Sequence, residues 1–438
     1  MTEVWDTVRY ACAPARGRPR PLARWAARGL ASCLDQGLVS AVNFTANVLL
    51  ARWLPSSEYG AFAVGFALFL FLSGSHNALL LDPACVLGPA RFSNDLPRYL
   101  KRVVCLHGAW SLAASLVVAA AALATRDASL RRAFYGLAIS LPFLLLLWLL
   151  RRLCYVAASP AAALVSSSAY AAFLIGGMYG LRHFAEPSPF GAFLVMGVAS
   201  AAAAATAWRK LGFDGTWGEI LSGECLELAR THWQYGKWLG ATSLLTFGVT
   251  QLQTFLIAGY LGLSAAGTFR ALFNLVQPMS QVTAAAGLLF LPNLSADFGA
   301  GRTASLRVKG ALISAGLLSV SLVYELVLLG FGPRIEEIAY GGRFRGYTWL
   351  IPVMGLIPVF SALASGWSLV LQAVQKPQHY LIRGAVVGPV GVASALIFTT
   401  CAGLAGAAAS IVSNLAVSML VTFWLYRRFG PVDRKAST

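Results

Sequence analysis

The sequence predicts an all-α polytopic membrane protein with about twelve transmembrane helices in two pseudo-symmetric six-helix halves. Three observations support this fold class. Of the 438 residues, 58% are hydrophobic and only 12% are charged, whereas a soluble domain carries roughly 25% charged residues. Twelve apolar runs approach the length of about 20 residues that crosses the hydrocarbon core as a helix. In addition, the first and seventh runs end in related sequences.

The charge balance and the cysteines exclude several function classes. The chain has 34 Lys and Arg against 17 Asp and Glu, which gives a net charge of +17. Nucleic-acid-binding proteins carry such charge on a wet polar surface, and this composition leaves little of one, so no nucleic-acid partner is expected. The seven cysteines are scattered, without a CxxC pair or a His/Cys cluster. They indicate neither a disulfide framework nor a metal site, and no motif calls for a cofactor.

The apolar runs are joined by short connections, and the last two are separated only at Gly403. Because their number is even, both chain termini lie on the same side of the membrane. The predicted spans, numbered one to twelve in chain order, cover residues 29–51, 59–80, 103–124, 134–150, 159–181, 189–207, 237–260, 266–291, 309–332, 347–373, 384–402 and 404–426.

Lys and Arg in the connecting segments set the orientation. With the N-terminus in the cytoplasm, 25 of the 34 basic residues lie in cytoplasmic segments, Arg151, Arg152 and Arg383 among them. Eight lie on the opposite side, and Arg270 alone falls inside a span. Both termini are therefore predicted to be cytoplasmic. The predicted parts are a basic arm at 1–28, halves at 29–207 and 237–426, a linker at 208–236 and a basic tail at 427–438.

The linker is predicted to form an interfacial cytoplasmic helix. Trp217, Leu221, Cys225 and Leu228 share one helical face, and the charged residues lie elsewhere. Such an amphipathic face suits the membrane surface. A solvent-exposed loop is the alternative.

An internal repeat relates the two halves. Residues Asn47–Leu68 (NVLLARWLPSSEYGAFAVGFAL) and Thr254–Leu275 (TFLIAGYLGLSAAGTFRALFNL) agree at eight of 22 positions when shifted by 207. The matches include a serine and a glycine in the hairpin turn. Each half has an even number of spans, so both halves enter the membrane from the same side. An axis along the membrane normal would relate them, as in transporters built from parallel repeats.

These phrases resemble the polysaccharide flippases, the Wzx-like branch of the multidrug/oligosaccharidyl-lipid/polysaccharide exporter superfamily. The resemblance is carried by NVLLARWLPSSEYGAFAVG, its echo IAGYLGLSAAGTFRAL, and RRLCYVAASPAAAL after span four. It implies two six-helix halves around a central cavity and movement of undecaprenyl-diphosphate-linked oligosaccharides across the bacterial inner membrane. The implied partners are membrane lipid, the lipid-linked glycan, a polysaccharide polymerase and a chain-length regulator. Lipid II flippases and drug exporters remain open as alternatives.

Polar residues inside the spans mark a candidate substrate path, since such groups are costly in a bilayer. Spans one, seven and eight carry stripes at helical spacing, and Pro278 predicts a bend in span eight. The resemblance implies that these helices and span two border the cavity; interhelical hydrogen bonding is the alternative. The candidate cavity residues are Gln36, Asn43, Asn47, His76, Asn77, Thr250, Gln253, Arg270, Asn274, Gln277 and Gln281.

Three charged residues within the spans have candidate roles of their own. Arg270 either snorkels to the outer interface or faces the cavity, where its guanidinium would bind a diphosphate bidentately. Asp35 in span one is the first candidate for proton or cation coupling, and Glu325 in span nine is the second. A paired structural role is the alternative for both carboxylates. For His76, a simple hydrogen bond is the alternative to titration.

The sequence leaves three functions to compare. A flippase working by alternating access is the leading hypothesis, and no enzyme activity is expected. An ion-coupled antiporter of small amphipathic molecules is the alternative, and its site would favour acidic and aromatic residues. A polymerase or acyltransferase needs a sizeable loop, but the longest outer loop, PRIEEIAYGGRFRGY, is short and predicts a salt-bridged turn around Glu336 and Glu337. No nucleotide-binding loop occurs, so transport would use a gradient or substrate binding.

Overall fold

The described part of the chain is helical throughout. The computed structural model describes residues 22–92, 95–157, 159–213, 224–374 and 378–430, and within these ranges it contains helices and turns but no β-strand. The all-α prediction is therefore confirmed. The chain divides into two compact units, and the division falls between Phe247 and Gly248.

The N-terminal unit contains the helices of the first six predicted spans. The second of them continues through a π-helical turn at Asn77–Leu81 into a further short helix, so the three segments form one distorted span. The helices are α1 (Leu22–Trp53), α2 (Ser56–His76), α3 (Asp82–Arg91), α4 (Leu96–Ala124), α5 (Ala128–Val156), α6 (Pro160–Phe184) and α7 (Pro189–Leu211).

Local sequence explains where several of these helices begin. Pro160 and Pro189 occupy the first turns of α6 and α7, where a missing N–H breaks no intrahelical bond. Asp127 and Ser188 cap α5 and α7, each accepting a hydrogen bond from the backbone N–H three residues on. These caps satisfy donors that a helix start leaves unpaired.

Small residues allow the helices of each unit to approach closely. In the N-terminal unit, a Cβ on Gly197 of α7 would lie 2.6 Å from the Ser140 hydroxyl oxygen of α5. In the C-terminal unit, a Cβ on Gly366 would lie 1.9 Å from the carbonyl oxygen of Gly310. Contacts of this kind are typical of helices that pack in a bilayer.

The second unit begins within a long helix that starts at Glu224. The chain bends by 48° after Asn274, and Pro278 lies in the first turn that follows, at the position where the sequence predicted a bend. Gly403 has φ +56°, which glycine adopts readily, and it breaks the last helix where spans eleven and twelve were divided. The helices are α8 (Glu224–Leu261), α9 (Leu263–Asn274), α10 (Gln277–Gly299), α11 (Thr303–Tyr340), α12 (Leu350–Ala373) and α13 (Gln378–Phe429).

Most of the predicted spans correspond to helices that are long and apolar enough to cross a membrane. Eight of the described helical segments are long and apolar enough to cross a membrane, or nine if the bent pair α9 and α10 is one span. Because α13 is broken at Gly403, it accommodates two predicted spans. The helices α1 and α8 are not among the eight, and α1 carries the buried Asp35 and a polar stripe.

The structure differs from the sequence reading at the linker and at the outer loop of span nine. Residues 214–223 lie outside the described ranges, and α8 runs from Glu224 through residue 237 without a break, so no boundary separates the linker from span seven there. The division into halves and linker stays a prediction. In the outer loop, Glu337 forms ion pairs with Arg334 and Arg345, as expected of a salt-bridged turn. Glu336 differs from the prediction, because it is fully buried and its Oε1 atom accepts a hydrogen bond from the Phe344 N–H at 2.8 Å.

Candidate functional site

Asp35 of α1 is fully buried, and three side chains of α5 and α6 bind it. The guanidinium of Arg151 donates from Nη2 to Oδ2 at 2.7 Å and from Nε to Oδ1 at 3.3 Å. The Tyr155 hydroxyl donates to Oδ2 at 2.7 Å, and the Ser167 hydroxyl donates to Oδ1. Both carboxylate oxygens are therefore hydrogen-bonded, and the buried charge is compensated.

This cluster changes the interpretation of Arg151. The sequence assigned it to a cytoplasmic loop, but α5 extends to Val156, and Arg151 is only 8% exposed. A long cationic side chain this deep in a helical bundle is tolerated when it is paired. Arg151 is therefore not part of the loop charge from which the orientation was predicted.

The remaining candidates of span one differ in their surroundings. Gln36 is exposed, Asn43 is half-buried and Asn47 is buried. Asn43 Oδ1 accepts a hydrogen bond from the Tyr170 hydroxyl at 2.9 Å. Asn47 donates to the Asn43 backbone carbonyl at 2.9 Å, and its Oδ1 atom has no hydrogen-bond partner among the described residues.

His76 ends α2 next to a second histidine. Its Nε2 atom lies 3.0 Å from Nδ1 of His107, and both rings are buried. The Trp110 ring packs edge-on against His76, with 5.3 Å between ring centroids. His76 is therefore hydrogen-bonded to a partner that the sequence did not identify. Asn77, which follows it in the π-helical turn, has a buried Oδ1 atom without a hydrogen bond in the described part of the chain.

The π-helical turn also contacts the first part of α8, which belongs to the N-terminal unit. His232 Nδ1 lies 3.3 Å from the Leu79 carbonyl oxygen, and its Nε2 lies 3.0 Å from the Tyr99 hydroxyl. A neutral ring protonated at Nδ1 satisfies both contacts. One turn further, a Cβ on Gly236 would lie 2.6 Å from the Ala78 carbonyl oxygen, so only glycine fits without displacement. The first part of α8, before span seven, thus covers the π-helical turn. Such turns are frequent at functional sites.

Burial lowers the pKa of His232, which precedes span seven, to about 4, and the hydrogen bond to Leu79 offsets this only in part. The ring is therefore neutral at physiological pH.

In the C-terminal unit, Gln253 of α8 joins two hydroxyl groups of α13. Its Nε2 atom donates to Thr399 Oγ1 at 2.9 Å, and its Oε1 atom accepts from the Ser410 hydroxyl at 3.1 Å. Gln253 is 5% exposed. These contacts are interhelical hydrogen bonds, which were the alternative to cavity lining for the polar stripe of span seven. The side chain of Thr250, another candidate, lies outside the described residues.

The stripe predicted along span eight is divided by the break between α9 and α10. Arg270 and Asn274 lie on α9, half-buried and buried respectively, whereas Gln277 is half-buried and Gln281 exposed on α10. The four residues therefore do not share one continuous helical face.

Two tyrosines of α11 bind backbone carbonyls that precede the break. The Tyr340 hydroxyl donates to the Ala271 carbonyl at 2.7 Å, and the Tyr324 hydroxyl donates to the Leu275 carbonyl. Carbonyls at a helix end lack intrahelical partners. The two side chains therefore stabilise the bend.

Glu325 of α11 is a buried carboxyl group with an unsatisfied oxygen. It is 6% exposed, and its Oε2 atom has no hydrogen-bond partner among the described residues. The carboxyl group lies against Gly355 of α12, where a Cβ would come within 1.6 Å of Oε2. Three residues on, Pro358 has no N–H to bond the carbonyl of Met354, so this stretch of α12 lacks one intrahelical hydrogen bond.

Sequence reasoning identified the polar groups of the spans but missed most of their partners. Neither Arg151 and Tyr155 for Asp35 nor His107 for His76 was singled out. An available signal was the position of Arg151 and Tyr155, which are four residues apart on one helical face at the end of a long apolar run.

Comparison with solved structures identifies the fold of this chain. No family model matches the chain, and no curated protein matches its sequence. Solved structures do match. A multidrug resistance MATE family transporter of the MOP superfamily, in an inward-facing conformation, aligns with TM-score 0.75 and 12% identity over 93% of this chain and 100% of its own. The chain has the fold of these transporters.

Two further structures support the same conclusion. The lipid II flippase MurJ, in an inward closed conformation, aligns with TM-score 0.75 and 12% identity over 90% of this chain and 87% of its own. A MOP superfamily transporter from Pyrococcus furiosus, described by its reversed binding-pocket polarity, aligns with TM-score 0.59 and 13% identity over 91% and 93%. These structures are transporters and a flippase rather than enzymes. At 12–13% identity, they show the fold of this chain and not its function or substrate.

Proposed function

We propose that this protein is a flippase that moves a polyprenyl-diphosphate-linked oligosaccharide across the bacterial inner membrane by alternating access. The substrate is anionic, since a diphosphate joins the lipid to the glycan. The polar stripes and Arg270 would bind its head group, and the lipid tail would stay in the bilayer. A polysaccharide polymerase and a chain-length regulator would act on the exported product.

The observation that supports this proposal most is that the charge of Asp35 is already compensated within the protein. A site for cationic drugs requires acidic groups that are free to bind them, but both oxygens of the Asp35 carboxylate are occupied by Arg151, Tyr155 and Ser167. Arg270 adds a cation to the predicted path. A permanently charged, planar guanidinium suits a diphosphate, which it binds through two parallel hydrogen bonds.

Ion coupling was predicted for Asp35 first and for Glu325 second, and the proposal assigns it to Glu325. Transfer of a proton to Asp35 would break hydrogen bonds to a charged partner. The Oε2 atom of Glu325 has no such bond among the described residues, so protonation there would break none. The same unpartnered carboxyl group also favours the second candidate function, an ion-coupled antiporter of small amphipathic molecules.

The experiment that tests the proposal is a deletion of the gene followed by complementation. Lipid-linked glycan should accumulate in the deletion strain and should be protected from a membrane-impermeant oxidant added to spheroplasts. Wild-type protein should restore access, and Arg270→Glu should not. Normal surface polysaccharide in the deletion strain, with no second flippase gene present, would contradict the proposal. Full transport by the Arg270→Glu protein, together with drug efflux, would favour the antiporter.

A further inference from the structure

The C-terminal unit contains a cavity whose lining is mostly apolar and includes one row of polar side chains. Its volume is about 570 Å³, within the range of roughly 300–1,000 Å³ of sites that bury a small-molecule ligand. Side chains of α10, α12 and α13 form its wall. Its lining includes one aromatic ring and several polar side chains, namely Phe360, Ser361, Ser365, Gln372, Arg383 and Ser418.

The polar wall is one face of α12. Ser361, Ser365, Ser368 and Gln372 follow one another at the spacing i, i+4, i+7 and i+11, and all four line the cavity. The other face of α12 is fixed against α11, where Ser314 accepts a hydrogen bond from the Gly366 N–H at 2.9 Å and donates to the Leu363 carbonyl at 3.1 Å. The orientation of the serine stripe therefore follows from helix packing.

The hydroxyl groups divide into acceptors and a donor. Ser361 donates its proton to the Ile357 carbonyl at 2.9 Å, and Ser365 donates to the Ser361 carbonyl at 2.6 Å. Their oxygen lone pairs remain to accept hydrogen bonds from a ligand. Ser418 is the opposite case, since its Oγ accepts from Arg383 Nε at 3.1 Å and from Nη2 at 2.8 Å. The hydroxyl proton of Ser418 therefore does not point at Arg383, and Ser418 can donate it to a ligand.

Gln372 adds an amide, which both donates and accepts, and Phe360 adds an aromatic ring. A sugar hydroxyl likewise donates one hydrogen bond and accepts others, and the C–H face of a sugar ring packs against aromatic side chains. A purely apolar ligand such as an acyl chain would make no hydrogen bonds to these hydroxyl oxygens or to the amide.

From this combination we infer that the cavity binds a sugar residue of the transported glycan. The inference rests on the proposed function for the identity of the glycan. It adds a second contact to the diphosphate contact proposed for Arg270, and it assigns recognition of the sugar to α12 and α13. In the predicted topology, the Gln372 end of α12 and Arg383 lie near the cytoplasmic side, where a lipid-linked glycan is loaded.

The test compares two carriers on purified protein in lipid nanodiscs. The probes are undecaprenyl diphosphate and the undecaprenyl-diphosphate-linked glycan extracted from the producing strain. Wild type should bind the glycosylated carrier about tenfold more tightly, which corresponds to about 1.4 kcal/mol of binding free energy. The double variant Ser365→Val/Gln372→Leu should lose this preference and bind the bare carrier unchanged.

Ser319→Val is the matched control, because Ser319 makes the same bond to its i−4 carbonyl on an exposed face of α11. It should keep the preference. If the double variant does not fold, maleimide labelling of Ser368→Cys replaces it, read on the peptide that contains residue 368 because the exposed Cys33 and Cys401 also react. The glycosylated carrier should slow this labelling, and the bare carrier should not.

The outcomes separate the two proposals. Equal binding of both carriers by wild type, or a preference retained by the double variant, would overturn the sugar site and leave the flippase standing. Protection of Ser368→Cys by both carriers alike would assign the cavity to the lipid part and overturn the sugar site as well. Binding of neither carrier by wild type would overturn the flippase and, with it, the glycan assigned here.

Discussion

Two buried carboxyl groups, Asp35 in the N-terminal unit and Glu325 in the C-terminal unit, lie in opposite environments. In the N-terminal unit, Asp35 is surrounded by an arginine and two hydroxyl donors. In the C-terminal unit, Glu325 is almost as deeply buried but has one oxygen without a hydrogen bond among the described residues. An uncompensated buried charge is costly, so a fold retains one only where packing elsewhere offsets it. The comparison indicates that the Asp35 cluster is structural, whereas the Glu325 carboxyl group keeps one oxygen without a bond in the described part of the chain.

The largest expected effect is the loss of the N-terminal cluster. Asp35→Ala leaves Arg151 buried without its partner, which should lower the free energy of unfolding by about 3–5 kcal/mol. Thermal unfolding in lipid nanodiscs measures this. The matched control is Glu58→Ala, which breaks the more exposed pair with Arg132 and should cost no more than about 1 kcal/mol. Equal losses for the two variants would show that Asp35 is not a structural pair.

The second prediction concerns the space around Glu325. Gly355→Ala places a methyl group at the Glu325 carboxyl oxygen, and such overpacking should cost about 1–3 kcal/mol. The cost should fall in a Glu325→Ala background, where the methyl group has room. Unfolding of the single and double variants forms a double-mutant cycle.

Gly330→Ala is the control for this cycle, since a Cβ there meets nothing within 4 Å. An alanine in an open helical position should be neutral or stabilising by about 1 kcal/mol. Additive effects of Gly355→Ala and Glu325→Ala would contradict the contact between them.

The third prediction is a pH dependence in the contact between α8 and the π-helical turn. The pKa of His232 in the folded protein, about 4, lies below the ordinary value of about 6.5 for the unfolded chain. The unfolded state therefore binds the proton first, so the stabilisation is complete above about pH 6.5 and is lost as the pH falls toward 4. Stability measured at about pH 7.5 and 5 should fall more for wild type than for His232→Gln. An equal fall would contradict the role of this ring.

The smallest effect is expected at the bend of span eight. Tyr340→Phe removes one hydrogen bond to the Ala271 carbonyl and should cost about 0.5–1.5 kcal/mol. Tyr347→Phe is the control, because Tyr347 is exposed, and it should have no measurable effect. If the two variants unfold alike, the tyrosine does not stabilise the bend.

Much of the architecture could be predicted because it depends on local sequence. Hydropathy and length gave the spans, Pro278 predicted a bend that the structure has, and Gly403 marked the break in the last helix. The stripe Ser361, Ser365, Ser368 and Gln372 had the same spacing as the stripes that were recognised, so the sequence already contained that signal. The π-helical turn at Asn77–Leu81 was not predictable in this way, because its stabilising contacts come from His232 and Gly236 of a distant helix.

The opposite environments of Asp35 and Glu325 show where sequence information ends. Both are single carboxyl groups in apolar helices, and their neighbours along the chain do not distinguish them. The sequence determined that each lies within a helical span and that its charge needs an explanation. Only the tertiary structure decided that Asp35 meets Arg151, 116 residues away, and that Glu325 meets a glycine. A helical pattern specifies which side chains share a face, whereas compensation of a buried charge depends on what the facing helix presents.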